Sequence, residues 1–204
     1  MGILSSTVSL TRYKVNGSFS DSPIERVEKG LITHTIQDID QEPQEISVGW
    51  TSLFEPYHPD FNGSSFIVAD YFVFSLRIDK KSVPAKVLKK YMDIEEKRRL
   101  DESDRETLSK NEKKEMKDNV KAMLMARLPS VPHVFDLIWD YEKSLVYFFS
   151  TQKSANEELE SLFLKSFNIS LIKLFPFTLA DLELGFSDQE KDMITSLSPA
   201  SFME

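Results

Sequence analysis

Between Lys86 and Lys121, 22 of 36 residues are charged, and the basic ones in the second half fall on a single side of what is expected to be a helix. Reading Lys110 to Leu128 at about 100° per residue puts Lys110, Lys113, Lys114, Lys117 and Lys121 in one stripe. Beside it runs an apolar face of Met116, Val120, Met123 and Leu124, while Glu112, Glu115 and Asp118 point elsewhere. The stripe places like charges at i,i+4 in Lys110/Lys114, Lys113/Lys117 and Lys117/Lys121. Each pair costs an isolated helix roughly 0.2–0.5 kcal/mol, so helix stability does not explain the pattern. Two readings stay open: a surface that meets a polyanion, nucleic acid foremost, or a solvated lysine-rich face with no partner.

The rest of the chain narrows the class. With 204 residues, 41% hydrophobic and 15 Phe, it can bury a real core. No apolar run approaches the roughly 18 residues of a membrane span. The start, MGILSSTVSL, lacks the basic and long apolar regions of a secretory signal, so the cytoplasm is the expected compartment. The absence of cysteine excludes disulfides, thiol catalysis and cysteine-ligated zinc. A net charge of −8 argues against a simple nucleic-acid binder, but the charge is unevenly spread. Residues 86–121 hold 12 basic and 10 acidic residues, leaving 13 basic and 23 acidic elsewhere.

The expected fold class is α+β, with antiparallel hairpins and sheets alternating with helices and a charged helical hairpin in the middle. Thr7 to Val15 reads as a strand ended by Asn16-Gly17. Ser22, Pro23 and Glu25 open a helix with Ile24, Val27 and Leu31 on one face. Ile46 and Val48 mark a short strand, after which Gly49-Trp50 opens an irregular stretch. Phe72, Phe74, Leu76 and Ile78 face one side of a strand with Phe66 to Val68 as its hairpin partner. Pro84 starts the helical hairpin, whose first arm is expected to bury Val87, Tyr91 and Ile94 and whose second begins with Ser109-x-x-Glu112. Pro129 and Pro132 close it. Val134 to Asp140 and Leu145 to Ser150 form a hairpin, and Ser154 and Glu157 cap a helix with Leu159, Leu162, Phe163 and Phe167 on one face. Ile169 to Leu174 is a strand, and Ser187-x-x-Glu190 opens a last short helix. The division expected is 1–82, 83–129 and 130–204, packed as one unit.

Most other candidates for chemistry read as structural. His34, His58 and His133 lack metal-ligand spacing. Asp38-x-Asp40 reads as a solvated acidic loop rather than a cation site. Pro59-Asp60 followed by Glu95-Glu96-Lys97 fits a metal-dependent nuclease pattern formally, but the final triplet falls inside a charged helix rather than on a rigid strand. No Gly-rich phosphate loop, nucleophile elbow or dinucleotide fingerprint is present. Met1-Gly2-x-x-x-Ser6 matches a myristoylation signal by coincidence, since no second anchor accompanies it. Phe135, Trp139, Tyr147, Phe148 and Phe149 could stack on bases, but at strand spacing they read as core. No cofactor, metal site or membrane contact is expected.

The stretch RETLSKNEKKEMKDNVKAMLMARLP resembles the recombination-associated protein RdgC family of bacteria. The likeness is carried by Leu108, Lys110, Glu112, Lys113, Lys117, Asp118, Val120, Leu128 and Pro129. Supporting matches are Gly49-Trp50, Ser82-Val83-Pro84, Trp139 and the segment SLIKLFP ending at Pro176. The resemblance covers nearly all of this chain and the first two-thirds of a typical member. It implies a non-enzymatic, homodimeric protein that binds double-stranded DNA with little sequence preference, associates with the nucleoid and restrains RecA-type recombination. The five lysines of the stripe would hold the phosphates. The chain departs from the family pattern at Ser130, Val131, Pro132 and His133, where no Arg or Lys stands. The family's ring-closing C-terminal part is also missing, so the other reading is a protein-interaction or assembly module that keeps the fold without DNA.

Overall fold

The computed structural model describes residues 2–63, 65–103 and 105–196. It is an α+β protein whose secondary structure, in chain order, is β1 (Thr11–Asn16), α1 (Pro23–Thr33), β2 (Ile46–Thr51), β3 (Ile67–Val68), β4 (Tyr71–Lys80), α2 (Ala85–Ser103), α3 (Lys110–Met125), β5 (Val131–Asp140), β6 (Leu145–Phe148), α4 (Lys153–Phe167), β7 (Ser170–Leu174), α5 (Pro176–Leu184) and α6 (Asp188–Ser196). The chain divides into two compact units, one formed by Met1–Val27, Phe66–Val73 and Asp136–Glu204, the other by Glu28–Ser65 and Phe74–Phe135.

In the first unit β6 pairs antiparallel with both β1 and the end of β5, and β1 pairs antiparallel with β7. Alternation sends Tyr13, Val15, Leu137, Trp139, Val146 and Phe148 inward. Leu159, Leu162, Phe163 and Phe167 of α4 supply the opposing apolar stripe. Trp139 is the hub, with ring centroids 4.9 Å from Phe163, 5.4 Å from Phe167 and 5.6 Å from Phe72. Its Nε1 is buried without a hydrogen-bond partner among the described residues. α4 ends at Asn168 in the left-handed conformation, where its amide bonds the Leu164 carbonyl.

In the second unit β2 and β4 pair antiparallel from Ile46/Lys80 to Thr51/Ser75. Gly49 lies within that ladder, where a Cβ would stand 2.4 Å from the Ile36 Cα. Only glycine admits so close a backbone approach. Around it the Ile36 amide donates to the Trp50 carbonyl, and the Trp50 amide donates to the His34 carbonyl, both at 2.9 Å. A separate apolar cluster of Leu108, Met116, Val120 and Leu124 joins α2 to α3, with Val83, Val87, Leu88, Tyr91, Met92 and Leu100 packed against it.

Several expectations are corrected. β1 starts at Thr11, and Val8 and Leu10 before it are exposed. Gly49-Trp50 lies within β2 rather than opening a loop. Ile24, Ile94 and Met123 are exposed, because α1 and α3 bury narrower stripes than the apolar count suggests and α2 buries no residue fully, Val87 and Tyr91 being only partly buried against the α3 cluster; Met125 is buried near the end of α3. β5 begins at Val131 and includes Pro132, in a stretch whose first three residues are exposed, which a strand tolerates where the missing amide is not needed. Gln152, not Ser154, is the N-cap of α4, and it makes no side-chain cap bond. α5 is an additional helix that the sequence pattern does not announce. The N-terminal Met1 of the acylation-like motif and the tail 197–204 lie outside the described residues.

Candidate nucleic-acid interface

α3 is specified locally at its start. Ser109 Oγ accepts the Glu112 amide at 3.3 Å and Glu112 Oε2 accepts the Ser109 amide at 2.8 Å, a complete capping box. The helix is held by Met116, Val120 and Leu124 facing α2. Its buried face therefore points in a fixed direction, and the lysines flank it.

The five lysines do not share one state. Lys110, Lys114 and Lys117 are exposed, and none of them makes an ion pair among the described residues. Lys113 Nζ lies 2.8 Å from Glu96 Oε1 of α2. Lys121 is paired with Glu45, which precedes β2. On α2 the arginines are matched: Glu95 meets Arg98 at 2.6 Å and Arg99 at 3.1 Å, and Arg98 also reaches Glu102 at 2.7 Å. Hydrogen bonds from Arg98 and then Arg99 hold the Glu95 carboxyl down at about 2. Unpaired cations thus stand on both helices, since Lys86, Lys89, Lys90 and Lys97 of α2 are also exposed and make no ion pair among the described residues.

The C-terminal end of α3 is anchored by a residue that none of the sequence motifs includes. Lys81, 5% exposed, donates from Nζ to the carbonyls of Asp40 at 2.9 Å, Glu42 at 3.0 Å and Met125 at 2.9 Å. The last carbonyls of a helix lack internal partners and carry partial negative charge, so an ammonium there is favourable. Asp40 adds a second tie, since its Oδ1 accepts the Ser130 amide at 2.7 Å and the Ser130 hydroxyl at 2.6 Å. Those bonds, led by the hydroxyl's, hold the Asp40 carboxyl below the ordinary range of an aspartate. Asp40 is thus a structural acceptor. The signal that could have revealed the network is Arg77-x-Asp79-x-Lys81, charges at period two in register with buried Val73 and Ser75. Arg77 grips Asp79 with bonds of 2.8 and 2.6 Å.

Other sequence candidates fall apart as sites. Trp139 and Phe148 are core residues, while Tyr147 and Phe149 line a shallow depression with Leu10, Tyr71 and Ile138. His34 Nδ1 lies 3.3 Å from the Gly30 carbonyl and His133 Nδ1 lies 3.1 Å from that of Val131. Asp60 Oδ1 accepts from the amide and side chain of Asn62.

A family model described as "Putative exonuclease, RdgC" matches residues 9–181. The chain belongs to the RdgC family. No curated protein matches it. The match spans the whole of α3 and its capping box. No helix among the described residues is long and apolar enough to cross a membrane.

Proposed function

We propose that this RdgC family member binds double-stranded DNA through its phosphates, without sequence preference and without catalysis, using the exposed face of α3. The observation that carries the reading is the state of Lys110, Lys114 and Lys117: three cations on one rigidly capped helix, each lacking a carboxylate among the described residues. Such a face concentrates positive potential on a chain of net charge −8. Phosphate contacts of this kind position a duplex but read no bases. In the same reading the protein is a cytoplasmic, nucleoid-associated homodimer that modulates RecA-type recombination. A non-catalytic role is supported by the engagement of the nuclease-like residues, with Asp60 holding Asn62, Glu95 holding Arg98 and Arg99, and Glu96 holding Lys113.

The test is fluorescence anisotropy of labelled duplexes of unrelated sequence at several salt concentrations. Lys114→Glu with Lys117→Glu should weaken binding to all of them alike. The slope of log K against log salt should flatten by about 2, roughly 0.9 for each phosphate that is no longer neutralised. Unchanged binding in that variant would remove α3 from the reading. A second reading, a protein-interaction module, is favoured by the pairing of Lys113 and Lys121 with carboxylates of the same chain; absence of duplex binding even at low salt would select it.

A further inference from the structure

Two of the five stripe lysines already hold an anion. Glu96 projects from α2 onto Lys113, and Glu45 meets Lys121. Neither carboxylate is there by chance of a loose loop. Glu96 lies on a helix packed against α3 through the Leu108, Met116, Val120 and Leu124 cluster. The Glu45 carbonyl accepts the Lys81 amide at 2.8 Å, and Lys81 itself bonds the preceding loop at Asp40 and Glu42. Both pairs are nonetheless open to water: the Lys113 and Glu96 side chains are 48% and 30% exposed, and those of Lys121 and Glu45 are 41% and 57%. Pairs of that kind are weak and exchangeable.

Resting on the reading of α3 as a phosphate-binding face, we infer that Glu45 and Glu96 are its specificity-determining residues, internal competitors that only a dense polyanion displaces. Each carboxylate is tethered beside its lysine, at an effective concentration set by the fold rather than by the solution. A free phosphate or a single carboxylate must compete with that tethered group one site at a time. A duplex first engages Lys110, Lys114 and Lys117 and then presents further phosphates to Lys113 and Lys121 without a second encounter. The outer lysines are thus reserved for ligands long enough to span the stripe.

The experiment compares the wild-type chain, Glu45→Gln/Glu96→Gln and a control, Glu115→Gln/Asp118→Gln, for binding of a labelled duplex across a salt series. The control removes the same charge from α3 itself, at residues that make no ion pair among the described residues, so it measures the effect of charge without release of a pair. Release of two exposed ion pairs is expected to tighten binding by between about two-fold and thirty-fold beyond the control. The slope of log K against log salt should stay close to that of the wild type, since Lys113 and Lys121 meet phosphate in both chains. Equal affinities in the two variants would overturn the competition while leaving duplex binding by the wild type intact. Binding by the Glu45→Gln/Glu96→Gln chain alone would overturn displacement by a duplex, since the wild-type carboxylates would then exclude it. No binding by any of the three chains would overturn the phosphate-binding reading, and this inference with it.

Discussion

An ammonium group almost wholly removed from water is tolerable where its hydrogens all find acceptors, and Lys81 has one carbonyl for each of its three. Replacing it removes a donor from three oriented carbonyls, and the one at the end of α3, that of Met125, keeps among the described residues only the Leu128 amide at 3.4 Å. Lys81→Met, which keeps much of the volume, should lower unfolding free energy by about 2–4 kcal/mol in urea titrations. That is several times the cost expected for any exposed lysine of the stripe. A second residue carries the opposite sign. Ala69 sits at φ 54° in the two-residue turn between β3 and β4, a left-handed conformation that disfavours any Cβ. Ala69→Gly should therefore stabilise the protein by about 0.5–1 kcal/mol, read as a higher urea midpoint with an unchanged slope.

At the scale of elements, the loop from Asp38 to Glu45 organises the end of the lysine helix. Its Asp40 is held ionised by Ser130, and the sign of the linkage follows. A carboxyl whose folded pKa is depressed contributes stability fully present above its unfolded value, near 3.9, and lost as pH falls through the lower folded value. Ser130→Ala should raise the Asp40 midpoint toward that of an ordinary aspartate, measured by carboxyl NMR, and shrink the acid-side loss of stability below about pH 4. Much of this layer was legible in the sequence. The Ser109/Glu112 box, the α4 face of Leu159, Leu162, Phe163 and Phe167, and the β4 face of Phe72, Phe74, Leu76 and Ile78 follow from period and capping alone. What escaped depended on partners distant in sequence. Ile94 has the right spacing on α2 but stays largely exposed. Gly49 looked like a loop signal because the requirement it meets, the approach of the Ile36 backbone, is tertiary. The lysine stripe was readable as a stripe, yet the sorting of its members into paired and unpaired cations came from Glu45 and Glu96, 76 and 17 positions away.

For the molecule as a whole, charge is partitioned along the chain as sharply as structure. No Lys or Arg lies between Lys29 and Arg77, whereas Lys86 to Lys121 holds 12. A polyanion is therefore repelled by one part of the second unit and attracted to another, which orients an encounter before any contact forms. The family match over residues 9–181 includes segments of both units. Each unit also contains one of the chain's two tryptophans, and both indoles are fully buried, Trp139 in the first unit and Trp50 in the second. The protein thereby carries a native optical label for each half: Trp50→Phe leaves emission from the first alone, and Trp139→Phe leaves emission from the second. Superimposed melting curves from the two variants would describe one cooperative transition, and separated curves would give each half its own stability.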